Sequence, residues 1–398
     1  MVRVGSLFSQ LLKQIPRDTF YSLVRKFGAE RYAKGFTSWT HLVAMLFSQL
    51  ARADSLREIC NGLACCEGKL VHVGIDGSPR RSTLAYANQH RPAAMFEALF
   101  WKVLERFREQ GGLGGKQHPF RFKNPLLSLD STTISLCLSL FPWAEFRQTK
   151  GGVKLHVLLN HDDYLPEFAV LTEARQHDLR PARQVSLRPG SILVVDRGYT
   201  DFALFGRWCN EGIFWVTRMK QGTAYTVEES RDLPQGHRIL ADEIIRLTGA
   251  AAAAKCPDRL RRIVVWDAEQ QRQIEVLTNH LAFGATTLAA IYRERWQIEL
   301  FFKALKQNLK VKTFVGTTEN ALRIQLWTAL LALLLLKWLH FLSTAGWSLS
   351  NLASLLRLNL FTYRDLHAWL AKPLATPPLL PHFEQLALAL PVAGQLPA

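Results

Sequence analysis

IYRERWQIELFFKALKQNLKVK, residues 291–312, is the stretch on which the reading of the whole chain turns. It holds no Gly or Pro and is rich in Leu, Arg, Glu, Gln, Lys and Ala, so it predicts one continuous helix. At about 100° per residue, Tyr292, Arg295, Glu299 and Lys306 fall within an arc of about 60°. Beside them, Ile291, Ile298, Phe301, Leu305 and Leu309 form the apolar stripe that would bury such a helix. One side anchors, and its edge presents a phenol, a guanidinium, a carboxylate and an ammonium in a row. Read as charge patterning alone, that edge is a solvated face.

The spacing says more than the charges. These four residues match Y-x2-R-x3-E-x6-K without a gap. The pattern resembles the signature that carries the last catalytic carboxylate in DDE transposases of the insertion-sequence-four family. The resemblance implies two aspartates upstream, each at the end of a strand. Upstream, the period does change to that of strands. LLSLDSTTISL (126–136) alternates around Asp130, and KLHVLLNHDDYLPEFAVLTEA (154–174) reads as a hairpin about Asn160, His161, Asp162 and Asp163. SILVVDRGYTDF (191–202) is a short buried strand ending at Asp196. Three strands, then a strand with Asp at its end, then a helix is the order of an RNase H-like mixed sheet. LDSTT and VVDRGY resemble the first two carboxylate motifs of the DDE transposases. Asp162 and Asp163 are rival carboxylates that a hairpin turn explains better. His156, His161 and His177 stand beside no metal motif and read as structural.

The chemistry of such a trio is metal binding. Mg²⁺ prefers hard oxygen ligands, so a few carboxylates on rigid elements can hold two ions. Two ions roughly 4 Å apart activate the attacking oxygen and stabilise the leaving one in phosphoryl transfer. The resemblance therefore implies Asp130, Asp196 and Glu299 as catalytic metal ligands for two Mg²⁺, with Mn²⁺ as a substitute. It implies DNA-phosphate contacts for Tyr292, Arg295 and Lys306, Arg295 by a bidentate fork and Lys306 as a point charge.

Just over a hundred residues separate Asp196 from Glu299, too many for a simple connection. They are strand-rich, with an Ala-rich turn at 249–255 (GAAAAAK), and read as an inserted β-subdomain. In relatives that form a DNA hairpin, a Trp in the strand before the glutamate helix receives a flipped base. Here that strand reads RQIEVLTN, and Trp266 and Trp215 lie earlier. Beyond the helix, NALRIQLWTALLALLLLKWLHFL (320–342) is near the length of a membrane span. Arg323, Gln325, Lys337 and His340 interrupt it, which favours a core helix.

Residues 1–110 read as helices, with Thr37 or Ser38 and Asp54 or Ser55 as caps and Pro92 interrupting the last. A helix headed by Arg80, Arg81, Ser82 and Thr83 after a turn is helix-turn-helix-like, and it makes Arg80 and Arg81 candidate DNA contacts. GGLGGKQHPFRFKNP (111–125) reads as a boundary. Its GGK is no P-loop, because Gln110 and Gln117 fall where Gly and Ser/Thr are required. The six cysteines form no CxxC pair, the spacing of Cys60, Cys65, Cys66 and His72 suits zinc poorly, and ordinary buried thiols are expected. The N-terminus shows no signal-peptide pattern.

Composition points the same way. The 398 residues carry 49 Lys and Arg against 33 Asp and Glu, a net charge of +16. The excess is spread along the chain, which suggests a polyanionic partner such as nucleic acid. With 48% hydrophobic residues, bulk disorder is excluded. The fold expected is α/β: an RNase H-like core in two parts (121–224 and 279–345) around a β-insertion (225–278). A helical DNA-binding domain (1–110) precedes it, and a helical, Pro-rich region (346–398) follows. The function expected is a DNA transposase that binds the terminal inverted repeats of an insertion sequence and target DNA. It would cut and join by metal-dependent phosphoryl transfer, as a homodimer on DNA, in the cytoplasm at the nucleoid and without a membrane. The alternatives are an RNase H-like nuclease without joining activity and a non-catalytic DNA-binding protein.

Overall fold

The structure is a computed structural model that describes residues 5–375 except 32, 67, 112, 114–119, 138–139, 148–149, 236–237 and 310–313. Residues 310–312 of the helix stretch, 376–398 of the Pro-rich tail and residues 112 and 114–119 of the Gly-rich boundary lie outside the described residues.

Six helices lead: α1 (Leu7–Leu12), α2 (Arg17–Lys26), α3 (Ser38–Ala51), α4 (Leu56–Ala64), α5 (Arg81–His90) and α6 (Ala93–Glu109). Local chemistry sets their ends. Thr37 caps α3, its hydroxyl accepting the Thr40 N–H at 3.1 Å. Ser55 caps α4 by accepting the Glu58 N–H at 3.2 Å, while the Glu58 carboxylate reaches back to the Asp54 N–H at 2.8 Å. Pro92, with no N–H to donate, separates α5 from α6.

The strands follow: β1 (Leu126–Leu136), β2 (Glu145–Arg147), β3 (Lys150–Asn160) and β4 (Leu165–Glu173). After the short helix α7 (Leu179–Ala182) come β5 (Ile192–Val195), helix α8 (Phe202–Asn210) and β6 (Phe214–Arg218). The expected insertion supplies β7 (Tyr225–Ser230), β8 (Ile239–Leu247), helix α9 (Ala250–Lys255), β9 (Leu260–Asp267) and β10 (Arg272–Thr278). The Ala-rich segment is thus a helix and not the turn its composition suggested, because a run of Ala is the best of helix formers.

All ten strands form one sheet, in the order β2-β3-β1-β5-β6-β10-β9-β8-β7, with β4 also paired to β3. β3 runs antiparallel to both of its neighbours β1 and β4, whereas β5 runs parallel to β1 and β6 parallel to β5. β10 joins β6 antiparallel, so the insertion strands continue the same sheet. Both faces of the centre are covered. Leu129, Leu193, Val195 and Trp215 pack with Phe205 and Trp208 of α8 on one side. Leu126, Ile192, Val194 and Val216 pack with Leu288 and Ile291 on the other. Burial on both faces explains why β5 reads as a continuous apolar run, ILVV.

Five helices complete the described chain: α10 (Ala285–Glu294), α11 (Trp296–Asn308), α12 (Glu319–Leu342), α13 (Leu349–Leu358) and α14 (Leu366–Ala371). Residues 291–308 are therefore two helices, not one. At the joint, the Arg295 N–H meets the Tyr292 carbonyl and the Ile298 N–H meets the Arg295 carbonyl, both at 3.2 Å. This i→i−3 spacing tightens the turn. The apolar faces on either side have different partners. Ile291 of α10 belongs to the cluster around β5 and β6, whereas Ile298, Phe301 and Leu305 of α11 belong to a larger core shared with α12 and with β1 and β3. A change of packing partner at Arg295 is the physical reason for the break.

α12 is a core helix. It is the one described helix long and apolar enough to cross a membrane, and 83% of its most apolar 18-residue window is buried. It packs against α3, α5 and α6 on one part of its circumference and α11, α13 and α14 elsewhere. Trp327 meets Phe100 at 5.6 Å, and Trp338 stacks on Phe107 at 4.4 Å. The N-terminal helices and the C-terminal helices thus share one core.

Lys337 enters that core and donates to the Tyr164 carbonyl. Burial lowers its pKa from 10.5 to about 8, with Asp163 opposing the shift. The sign follows from proton linkage. Between pH 8 and pH 10.5 the unfolded chain binds a proton that the native chain lacks, so this group's penalty is present below pH 8 and fades as pH rises. Lys337→Met should therefore stabilise the protein at pH 7 by about 2 kcal/mol, and by less at pH 10. Thermal melts at the two pH values check this; an equal gain at both would contradict it.

Candidate active site

The parallel pairing of β1 with β5 builds the site. Its last registered pair is Leu129 with Val195, so the next residues, Asp130 and Asp196, stand side by side where β5 ends. The aspartate neighbourhood is set by backbone donors. The Ser131 N–H donates to Asp130 Oδ1 at 2.8 Å, and the Gly198 N–H donates to Asp196 Oδ2 at 3.3 Å. Asp130 lies midway along β1, not at its end, because β1 runs on against β3 after β5 has stopped.

The third carboxylate arrives through Arg295. From the joint between α10 and α11, its Nη2 donates to Glu299 Oε1 at 2.7 Å and its Nη1 lies 3.7 Å from Asp130 Oδ2. Burial opposes the charge on Arg295, but the Glu299 hydrogen bond and the nearby Tyr292, Glu299 and Asp196 hold its pKa above the ordinary value. Burial pushes Asp130 up to about 6; Asp196 and Glu299 push it the same way, and the Ser131 N–H and Arg295 oppose them. Three carboxylates thus share a half-buried pocket with one guanidinium between two of them. Tyr292 closes this end: burial raises its phenol, with Arg295 and Asp196 acting on it in opposite senses.

Lys306 is the member of the row that stands apart. Its Nζ donates to the Thr133 carbonyl at 3.2 Å, three residues along β1 from Asp130. Arg80 and Arg81 are exposed at the start of α5, within the helical part of the protein.

Several groups near the carboxylates escaped the reading of the sequence. Asp178, just before α7, accepts from Ser131 Oγ and from Lys154 Nζ, each at 3.0 Å. Tyr199 is buried beside them, its phenol raised by burial and then by Asp130 and Asp178. Faint signals existed. Lys154 and His156 are polar positions two apart on one face of an apolar strand, and Tyr199 stands inside VVDRGY. Asp178 had no signal, since only the fold carries its loop to Ser131.

The rival residues have structural partners. Asp163 accepts from Arg108 Nε at 2.7 Å and ties α6 to the β3–β4 turn. His161 is buried and hydrogen-bonded to Ser128 at 2.7 Å, and His156 meets Thr172 at 2.9 Å. The cysteines are less uniform than expected: Cys65 and Cys137 are exposed, and Cys60 and Cys256 are buried.

A sheet that sets two aspartates side by side, a helix that adds a glutamate, and a strongly basic chain together define an enzyme acting on DNA. Residues 121–335, more than half of the chain, match the family described as transposase DDE domain, and the chain belongs to the DDE transposase family. Residues 4–76 match a domain of unknown function, DUF4372. The chain is similar to the putative transposase y4zB of Sinorhizobium fredii, 31% identical over 295 residues, which cover 73% of this chain and 80% of that one. It is similar to the probable transposase for insertion sequence element IS5377 of Geobacillus stearothermophilus, at 30% over 267 residues, 66% of this chain and 69% of the relative. The transposase InsG for insertion sequence element IS4 of Escherichia coli is 24% identical over 206 residues, 47% of this chain and 45% of that protein.

Proposed function

We propose that this transposase binds the terminal inverted repeats of an insertion sequence of the insertion-sequence-four group and moves it by metal-dependent cutting and joining of DNA. The observation that carries this reading is the register that sets Asp130 beside Asp196, with Glu299 linked to Asp130 through one arginine. The core is RNase H-like on this reading, which the order β4-β3-β1-β5-β6, antiparallel then parallel, supports. The sequence divides as 1–110 for DNA binding, 121–224 and 279–345 for the core, 225–278 for the β-insertion and 346–398 for the C-terminal region.

Asp130, Asp196 and Glu299 would hold two Mg²⁺, or Mn²⁺ in their place. All three offer hard carboxylate oxygens, and Asp130, raised first by burial and further by Asp196 and Glu299, is a carboxylate whose charged form a cation would favour. Bound there, the ions supply charge for the attacking and leaving oxygens of a phosphoryl transfer. The chain's own groups orient the site. The Ser131 and Gly198 N–H groups fix the aspartates, and Arg295 holds Glu299 toward Asp130. Tyr292, Arg295 and Lys306 would then grip phosphates of the element's end, with Arg80 and Arg81 contacting DNA further out. The protein works in the cytoplasm at the nucleoid, as a homodimer on paired ends.

Arg295→Ala and Lys306→Ala test the phosphate contacts. Losing a charge-assisted contact costs on the order of 1.5–3 kcal/mol, so joining of a pre-cut end to target DNA should fall roughly ten- to more than a hundredfold. Metal binding by calorimetry should persist in Lys306→Ala, which leaves Arg295 and its contact with Glu299 in place. Joining at the wild-type rate in both variants would make the row a solvated helix face.

A further inference from the structure

Away from the carboxylates, the fold brings together two cysteines that lie 47 positions apart in sequence (209 and 256). Cys209 stands at the end of α8, and Cys256 directly follows α9. Asp258 comes two residues later. Among the described residues, this is the one group of three or more Cys, His, Asp or Glu whose ligand atoms all lie within 4.8 Å of one another. Cys209 and Asp258 line a cleft of about 520 Å³ between α8, β6 and the start of β9.

The close approach is built into the backbone. A Cβ on Gly206 would sit 2.0 Å from the Lys255 carbonyl oxygen, so only Gly lets α8 come this near the end of α9. Two N–H donors then point at the Cys209 sulfur: Trp215 Nε1 at 3.5 Å and Asn279 Nδ2 at 3.3 Å. Asn279 is itself locked, its amide also donating to the Ile213 carbonyl at 2.9 Å and its oxygen accepting the Trp215 N–H at 2.8 Å. N–H donors on sulfur favour the thiolate, and such outer partners are what orients and tunes a metal-bound ligand.

We propose that Cys209, Cys256 and Asp258 form a site for a thiophilic divalent cation, zinc by its chemistry, that fastens the β-insertion to the catalytic core. Two sulfurs and one carboxylate suit a tetrahedral borderline-soft ion, and the cleft leaves its fourth position to solvent. Binding releases the thiol protons to water. The ion would join α8, which follows Asp196, to the segment between β8 and β9.

Cobalt(II) is the probe, because sulfur ligation gives a thiolate-to-metal charge-transfer absorption that carboxylates do not. The reduced full-length protein should take up one equivalent of Co²⁺ with this absorption, and Zn²⁺ should displace it. Cys209→Ser and Cys256→Ser should each abolish the band, and Cys137→Ser should leave it intact. Asp258→Asn, at an exposed position, should weaken Co²⁺ binding at least tenfold while its metal-free melting temperature stays that of the wild type. Asn279→Ala should weaken it roughly ten- to a hundredfold through loss of the sulfur's donor. The proposal fails if the wild type shows no sulfur band, or if the band survives both cysteine substitutions. A Cys209–Cys256 disulfide whose reduction yields no cobalt binding overturns it equally.

Discussion

Replacing Asp130 or Asp196 by Asn, or Glu299 by Gln, should abolish nicking of an end-containing duplex in Mg²⁺. The charge stabilisation lost with a metal ligand amounts to several kcal/mol, and each 1.4 kcal/mol is tenfold in rate, so a fall of about a thousandfold or more is expected. The fold should survive. Asp130 is pushed up to about 6 chiefly by burial, so Asn removes a buried charge there while its Oδ1 can still accept the Ser131 N–H. DNA binding should also survive, because Lys and Arg meet the phosphates and the net charge of +16 hardly changes. A nicking assay beside a gel shift and a thermal melt separates these effects. Full cleavage by any one variant would remove that residue from the catalytic trio.

The second large effect concerns the helical parts. Deleting residues 1–110 should leave a chain that does not fold to a soluble monomer. The reason is α12, whose Leu326, Leu330, Leu333 and Leu334 are at most 2% exposed and whose Trp327 and Trp338 pack on Phe100 and Phe107 of α6. A fully buried Leu or Phe contributes about 1.5–3 kcal/mol. The four leucines alone amount to about 6–12 kcal/mol, comparable to the whole net stability of an ordinary domain. The expected result is aggregation, or a chain without a cooperative melting transition. In the full-length protein, the milder Leu334→Ala should cost about 2–5 kcal/mol and still fold. A soluble 121–375 fragment that melts in one sharp transition would show that the two regions are separable. For the same reason, the DNA contacts proposed for Arg80 and Arg81 are best tested in the whole chain.

Much of this protein was legible in its sequence because the decisive signals are local. Arg295 meets Glu299 through a local i,i+4 contact, and the turn at Asp162 and Asp163, the caps at Thr37 and Ser55 and the stop at Pro92 are set by chemistry within a few residues. Asp130 and Asp196 could be chosen because each stands next to a buried apolar run. Tertiary structure decided the rest, and in each case the partner lies far along the chain. Only the parallel register of β1 and β5 sets Asp130 beside Asp196, and only the loop carrying Asp178 brings that carboxylate to Ser131. The break at Arg295 arises because α10 packs on β6 and β8–β10 whereas α11 packs on β1, α12 and α13, a division no periodicity encodes. α12 has the length and apolarity of a membrane span, and what makes it a core helix is the surrounding of helices drawn from both ends of the chain. Cys209 and Cys256 have no spacing to announce them; they meet because Gly206 lets two backbones approach where side chains would hold them apart.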